Sequence, residues 1–389
     1  MEFRQIETEK DCNQYIALMD YCFKDETGWT GRMFPLPPED RAFGIFDGDK
    51  LAAAMLSKGF TSRIFGKTVL SNGIGCVATA PQYRNRKFIR EIFSSVLREE
   101  YEKGSLFSAL YPFLFDYYQK FGYGSLGNVV AYIFDPSEIR KPEPRPGRIV
   151  PFDNSTRHLD DMFSAYNQWV QNFDFGIIRP KPILEKFVQM TEADKAHIFL
   201  YYNEEETCQG FIQFYFKTLR KYVIRLKVES MAWVDSSALG ALMHFLWTHR
   251  DQCSDIKWTP PPILPLVWLT KEPRIEQFCN YSWMARPLHV EKLLQLKAEL
   301  NPTKAEIKFS LLDEILPEND ATYIVRGSSV SKEPFEAINV LPFHLFSSLL
   351  FGGLSLKQAR FAGLVSMSRG EEAEKFFSLN RNIFLSEDF

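Results

Sequence analysis

Apolar residues in the first third of the chain alternate between two periods. Cys12–Phe23 carries them at helical spacing. Phe43–Phe46 and Leu51–Leu56 are short apolar runs on either side of Asp47-Gly48-Asp49, which predicts a hairpin. Phe65-Gly66-Lys67 predicts a further turn, and Val69–Thr79 a third extended stretch loosened by Gly73 and Gly75. The period then lengthens. Phe88, Ile89, Ile92, Phe93, Val96 and Leu97 share one face of a helix expected over Tyr83–Glu102, with Gly104 as its stop. Leu106–Tyr111 reads as a strand, Asp116–Phe121 as a short helix halted by Gly122, and Val129–Phe134 as the strand that closes the set. Strands with helices between them predict a mixed α/β or α+β sheet domain over residues 1–135.

Pro136, Pro142, Pro144 and Pro146, set among charges between Asp135 and Arg148, form a stiff boundary. Beyond it the pattern repeats, so residues 136–285 form a second mixed segment. Ile198–Tyr202 and Gly210–Phe216 pair across the polar Asn203–Glu206, and Tyr222–Trp233 is the next strand. Ser236–Arg250 is a helix with Leu239, Leu242, Met243 and Leu246 inward. "MAWVDSSALGALMHFLWTHR" stands where "GCVATAPQYRNRKFIREIF" stood, as strand, turn and long helix, an echo of architecture with little identity. Residues 286–389 form a third segment. His289–Leu300 is an amphipathic helix, Ile307–Leu312 and Ala321–Arg326 pair as strands, Pro342–Leu350 and Ser355–Phe361 are helical, and Glu371–Leu379 precedes a tail over Asn380–Phe389.

A chain of 389 residues exceeds one ordinary core, in keeping with these segments. The net charge of −3 offers no basic excess for nucleic acid, which is set aside as a partner. The six cysteines contain no CxxC pair, so no metal site is expected. Charges from Glu2 to Lys10 argue against a signal peptide, and no apolar run approaches the ~20 residues that span a bilayer. A cytoplasmic protein without membrane partners, its thiols reduced, is the expectation.

Chemistry concentrates in "VATAPQYRNRKFIREIF", Val77–Phe93. A strand runs into a polar turn with Arg84, Arg86, Lys87 and Arg90 at the start of a helix. Unpaired first-turn N–H groups and the helix dipole suit a phosphate there, although basic residues on a solvated outer face give the same pattern. "SALYPFLFDYYQKFGYG", Ser108–Gly124, follows: a strand reaching Tyr111-Pro112, then a short helix with Tyr117 and Tyr118.

This order resembles the acetyl-CoA-binding half of the GNAT acetyltransferases. Tyr118-Gln119-Lys120-Phe121-Gly122-Tyr123 is similar to the family's Tyr-x-x-x-Gly-(Phe/Tyr) motif. The resemblance is closer to the enhanced-intracellular-survival (Eis) type and covers nearly the whole chain. "LLFGGLSLKQARFAGLVSMSRGEEAEKFFSL", Leu349–Leu379, looks like that branch's sterol-carrier-like region, and "NIFLSEDF" is similar to its acidic-aromatic ending. The resemblance implies two GNAT-like sheet domains in tandem, the second degenerate, followed by a sterol-carrier-like α+β domain. It implies acetyl-CoA as cosubstrate and a homo-oligomer, up to a hexamer.

Carried over by position, the resemblance implies that Val77, Ala78 and Thr79 offer an open strand edge to the pantetheine arm. Arg84, Arg86, Lys87, Phe88, Ile89 and Arg90 would surround the pyrophosphate with amides. Tyr118 would protonate the departing thiolate, and the α-carboxylate of Phe389 would take a proton from the attacking amine. A phenol near ~10 and a thiol near ~8.5 are suited to the first transfer; a carboxylate near ~3.5 needs a partly neutral amine or desolvation. A core tyrosine and a frayed terminus are the plain alternatives for these two residues. The family prefers Gly at Lys87, and often Gly or Ala at Ile89. Lys87 still offers its backbone N–H. Asp235-Ser236-Ser237-Ala238-Leu239-Gly240 in the second segment has no Arg, and its Asp opposes phosphate, so no acetyl-CoA is expected there.

Asp25, Glu26 and Trp29, in "FKDETGWTGRMFP", suit a cationic acceptor, or form a plain polar loop. Aminoglycosides, polyamines and lysine side chains are the acceptors considered. The rival reading is a lipid or acyl-CoA binder, with Leu341, Phe343, Leu345, Phe346, Leu349, Leu350 and Phe351 lining an apolar cavity rather than a core.

Overall fold

The computed structural model describes residues 1–24, 29–140, 143, 145–181, 184, 185, 188, 196–264, 266–271, 275–280, 283–365, 370–378 and 382–385, apart from the side chains of Trp29, Thr30 and Asn280. The chain divides into two compact units. One comprises Met1–Gly127 with Tyr281–Asn380 and Leu385–Phe389; the other comprises Asn128–Asn280 with Arg381–Phe384.

The first unit opens with β1 (Glu2–Gln5), α1 (Glu9–Phe23) and the short α2 (Trp29–Arg32). Thr8 caps α1 by accepting from the Asp11 amide, and the buried Asp11 pairs with Arg4 at 2.5 Å. Then come β2 (Asp40–Asp47), β3 (Lys50–Ile64) and β4 (Lys67–Thr79), joined by tight turns at Gly48 and Gly66, both with positive φ. Next are α3 (Phe88–Lys103), β5 (Phe107–Leu110), α4 (Phe115–Gln119) and β6 (Gly124–Ser125). Gly104, at φ 87°, ends α3 as its left-handed cap.

The strands run in the order β1, β2, β3, β4, β5, then Met284–Pro287, then β6. Neighbours are antiparallel except β4 and β5, which are parallel. The apolar faces of α1 and α3 close on β3 and β4. Ile92, Phe93, Val96 and Leu97 of α3 are wholly buried, as the helical spacing predicts.

The same unit contains the helix Val290–Leu300, an antiparallel sheet of Ile307–Leu311, Ala321–Arg326 and Ser329–Glu333, and the helix Phe343–Phe351. The run Leu341–Phe351 fills a core. Phe346 lies 5.6 Å from Phe309, and Phe351 lies 5.9 Å from Phe107 of β5. Lys297 is buried with them and donates to the Leu350 carbonyl at 3.0 Å, at the carboxyl end of that helix.

The second unit is built on a seven-stranded sheet. Its order is Glu276–Asn280, Val129–Phe134, Asp255–Trp258, Val223–Trp233, Cys208–Arg220, His197–Tyr202 and Arg148–Pro151. Val223–Trp233 is followed by the helix Ser236–Thr248 and pairs in parallel with Asp255–Trp258. This is the β4–α3–β5 arrangement over again, so the echo read in the sequence is one of topology.

Val129–Phe134, expected to close the first sheet, pairs instead between Asp255–Trp258 and Glu276–Asn280 in the second. Met284–Pro287 goes the other way, between β5 and β6 of the first sheet. An alternating apolar pattern shows that a strand is half buried but not against which sheet. Among the described residues, no helix is long and apolar enough to cross a membrane, and no cluster of three His, Cys, Asp or Glu could hold a metal.

Candidate active site

The parallel pairing of β4 with β5 runs from Ser71–Phe107 to Ile74–Leu110 and stops. β4 continues to Thr79, still paired with β3 through Ala54–Ala78 and Ala53–Thr79. Val77, Ala78 and Thr79 therefore lie past the point where β5 leaves, on an edge whose backbone groups, among the described residues, lack a strand partner on that side. An extended amide-bearing ligand can add itself to such an edge. A bulge between Leu56–Gly75 and Ala54–Ala78 bends β4 there, and Cys76 sits in it at φ 51°. Tyr15 of α1 is wholly buried beside the Cys76 thiol; burial raises the pKa of both groups.

The helix expected from Tyr83 begins later, because the turn before it is too contorted to be helical. A single 3₁₀ turn, Pro81–Tyr83, follows β4, and Asn85 and Lys87 then both take left-handed conformations, at φ 64° and 63°. Lys87 is the N-cap of α3 and provides no side-chain cap. The backbone thus has the shape that favours glycine where the family resemblance expects one, and Lys87 holds it at a cost of roughly 1–2 kcal/mol. Among the described residues the Phe88 and Ile89 amides at the start of α3 have no acceptor, whereas those of Arg90 and Glu91 donate to the Lys87 carbonyl at 3.0 and 3.3 Å. Arg84, Arg86 and Lys87 are exposed there, and among the described residues none is in an ion pair. Arg86 lies over the Tyr83 ring at 5.4 Å, and the Tyr83 hydroxyl donates to Asp47 at 2.9 Å, which ties the turn to the β2–β3 hairpin. That bond holds the Tyr83 pKa above the ordinary phenol value.

The remaining turn residues divide. Ile89 faces the core, where an alanine or glycine would leave space, and Phe88 is half buried against it. Arg90 points elsewhere: it pairs with Glu314 at 2.7 Å. The structure brings Arg84, Arg86, Lys87 and the amides of Phe88 and Ile89 to one place, and gives the Arg90 charge a partner of its own.

Tyr118 is buried on α4, ringed by Phe93 at 6.2 Å, Phe113 at 5.4 Å, Tyr117 at 5.2 Å and Tyr123 at 6.4 Å between centroids. Phe93 belongs to α3 and also stacks on Phe121 at 4.2 Å, so the helix that starts at the basic turn also braces the tyrosine. Among the described residues no group hydrogen-bonds the Tyr118 hydroxyl. Burial, with Tyr117 and Tyr123 adding to it, holds the hydroxyl well above the usual phenol pKa. The group is protonated at neutral pH and can give a proton to an anion formed beside it. The same low-polarity surroundings penalise that anion, so the two pKa values rise together.

Several contributors had weak signals or none in the sequence. A buried polar row crosses the sheet: Asn72 donates to Ser57 at 2.7 Å, Ser108 donates to Asn72 at 2.9 Å, and Tyr123 and Ser108 share a bond of 2.7 Å. Arg286, wholly buried, pairs with Asp313 at 2.5 Å. A lone Arg in the apolar run "WMARPL" was the available hint. Asp25, Glu26 and Phe389 lie outside the described residues, as does the side chain of Trp29, whose backbone opens α2.

Residues 2–126 match a family described as an acetyltransferase (GNAT) domain, and residues 176–287 match a second family of the same description. The chain carries two GNAT acetyltransferase domains in tandem. The protein is an acetyl-CoA-dependent N-acetyltransferase. No curated protein matches it in sequence. A conserved protein from Enterococcus faecalis, described as a probable N-acyltransferase, has a similar solved structure: TM-score 0.82, 18% identity, 98% of this chain and 97% of that one covered. A GCN5-related N-acetyltransferase from Anabaena variabilis gives 0.81 at 19% identity over 98% and 100%. Eis1 from Mycobacterium abscessus gives 0.80 at 17% identity over the whole of both chains. At such identities the likeness is one of fold, and it runs the length of the chain.

Proposed function

We propose that the chain moves the acetyl group of acetyl-CoA to a primary amine of a cationic acceptor, and that the reaction takes place in the first unit. The observation that carries this reading is the end of β4–β5 pairing at Ile74–Leu110, while β4 runs on to Thr79 toward the turn of Arg84 and Lys87. An open amide edge followed by an uncapped helix start suits an extended amide arm ending in a pyrophosphate. Val77, Ala78 and Thr79 then hold the arm; Arg84, Arg86, Lys87 and the amides of Phe88 and Ile89 hold the phosphates. Arg90 has a lesser part, its charge being satisfied by Glu314.

Tyr118 gives its proton to the thiolate as the C–S bond breaks, and the amine nitrogen forms the new C–N bond. The proton lost by that nitrogen goes to the α-carboxylate of Phe389 in this reading. Asp25, Glu26 and Trp29 attract the cation. An aminoglycoside, a polyamine and a lysine side chain share the required chemistry, a primary amine on a multiply charged body. The second GNAT domain is degenerate: Asp235 caps its helix by accepting from the Ala238 amide at 2.8 Å, which places a carboxylate where phosphate would sit. The third segment, 286–389, completes an Eis-type, sterol-carrier-like organisation in a cytoplasmic homo-oligomer.

The test is thiol release from acetyl-CoA against polyamines, aminoglycosides and lysine peptides, with the natural chain, Tyr118→Phe, and a chain with one Gly added after Phe389. Turnover by the natural chain and a fall of ~100-fold or more in both variants is the expected result. An extended chain that keeps full activity removes Phe389 from the mechanism. A natural chain that neither binds nor turns over acetyl-CoA overturns the reading.

A further inference from the structure

α4 is five residues long, and no side chain caps its start. A helix so short does not hold its own geometry. Its carboxyl end turns through bonds from the Phe121 amide to the Tyr118 carbonyl at 3.0 Å and from the Gly122 amide to the Gln119 carbonyl at 2.9 Å. The carbonyls of Phe121 and Gly122 are taken by residues from far along the chain. Arg286 Nη1 donates to the Phe121 carbonyl at 2.7 Å, and Ser347 Oγ lies 2.7 Å from the Gly122 carbonyl and 2.9 Å from that of Phe343.

Both donors are themselves fixed. Arg286 donates through Nη2 to Asp313 at 2.5 Å, and its guanidinium lies 5.1 Å from the centre of the Phe343 ring. Asp313 accepts from Asn319 at 2.9 Å and from the amides of Ile315 and Leu316 at 3.0 and 3.1 Å. The fit around the two glycines of the turn is close. A Cβ on Gly122, at φ 81°, would come 2.8 Å from Phe343, and one on Gly124 would come 2.4 Å from both the His344 carbonyl oxygen and the Ser348 amide nitrogen. Hydrogen bonds to consecutive carbonyls, from wholly buried donors, set the direction of the turn more tightly than apolar packing alone.

We infer that Arg286 and Ser347 are positioning residues for Tyr118: by holding the Phe121 and Gly122 carbonyls they aim its hydroxyl at the leaving thiolate. The inference rests on the reading of Tyr118 as the acid. It gives the segment after residue 281 a part in the chemistry of the first GNAT domain that does not depend on the chain terminus. Neither residue touches the substrate; each acts through the turn.

The test is a double-variant cycle on kcat, with equilibrium binding of acetyl-CoA and a melting curve for each protein. Thiol release is followed with the acceptor that supports the fastest turnover. Ser347→Ala and Arg286→Lys are expected to lower kcat ~10-fold while acetyl-CoA Kd stays within about twofold, since misplacing a catalytic group by a fraction of an ångström costs rate before binding. Ser347→Thr, which keeps a hydroxyl, is expected to restore most of the rate. In a Tyr118→Phe background neither change slows the enzyme further, because the group they aim is gone.

Losses that multiply in the Tyr118→Phe background overturn the inference and leave Tyr118 as the acid. Full kcat in Ser347→Ala overturns it as well, and this variant decides the matter if Arg286→Lys does not fold. Full kcat in Tyr118→Phe overturns both the acid and its positioning.

Discussion

Arg286 and Asp313 are paired at 2.5 Å with both side chains almost wholly out of water. The Asp313 carboxylate accepts three further hydrogen bonds, all from neutral donors, so among the described residues its charge has one cationic partner at this distance. Removing one member of such a pair strands the other, which typically costs about 3–5 kcal/mol, whereas replacing both by apolar groups costs much less. Arg286→Met is expected to lower the urea-unfolding free energy by that amount, and Arg286→Met with Asp313→Leu to regain a large part of it. A loss under ~1 kcal/mol in the single variant would mean that water reaches the pair.

The pH dependence of turnover follows from the Tyr118 environment. An acid must be protonated to act, so the rate falls as pH rises through its pKa. Burial raises that pKa above the ordinary phenol value of ~10. The kcat profile is therefore expected to have no descending limb from this group below about pH 10, while the rate rises as the acceptor amine loses its proton. The folded state binds this proton more tightly than the unfolded chain, so the associated stability is full below ~10 and is lost as pH rises beyond it. A descending limb near pH 8 that disappears in Tyr118→Phe would show that burial does not raise this pKa.

Lys87 holds a left-handed backbone that glycine adopts freely. Lys87→Gly relieves roughly 1–2 kcal/mol of strain, against about 0.5–1 kcal/mol of added chain entropy on unfolding. A net gain of about 0.5–1 kcal/mol in stability is expected, with acetyl-CoA Kd unchanged or lower. Lys87→Val, β-branched at the same φ, should lose stability and affinity together. Thermal melts and titration calorimetry measure both.

The basic residues of the turn should not weigh equally. Arg84 is exposed and, among the described residues, without an ion pair, whereas Arg90 pairs with Glu314 at 2.7 Å. Arg84→Ala is expected to weaken acetyl-CoA binding ~5- to 10-fold at low salt, and less as salt rises. Arg90→Ala is expected to change it less than about twofold. Equal losses would show that Arg90 exchanges Glu314 for the ligand.

The second GNAT domain is expected to bind no acetyl-CoA, so titration should give one site per chain. Asp235→Ala removes a helix cap and should cost about 1 kcal/mol of stability, with kcat unchanged. Two sites per chain would refute the reading of that domain as degenerate.

Much was legible in the sequence because it is local. The apolar stripe Ile89, Ile92, Phe93, Val96, Leu97 fixes a helix face by 3.6-residue spacing alone, and Gly104 and Gly122 mark stops where a left-handed residue is needed. The order of strand, basic turn, helix and tyrosine-bearing turn carries the family resemblance by itself. The start of α3 was misplaced by several residues, since Lys87 is left-handed without being glycine and carries no compositional mark of it, while Asn85, a residue that tolerates this conformation, is a weak signal by itself.

What the tertiary structure alone decided is non-local. Val129–Phe134 and Met284–Pro287 each have a strand's alternation, and only the hydrogen-bond partners show which sheet each joins. The opening between β4 and β5 is invisible in either strand by itself, because it is a difference in where two pairings end. The turn after Tyr118 accepts hydrogen bonds from Arg286 and Ser347, more than 160 residues away along the chain, and such bonds to backbone carbonyls leave no pattern in the residues that accept them. Periodicity and turn chemistry are properties of neighbours in sequence, and the sequence determined those. Burial of charge, strand partners and the packing around a tyrosine hydroxyl are properties of neighbours in space.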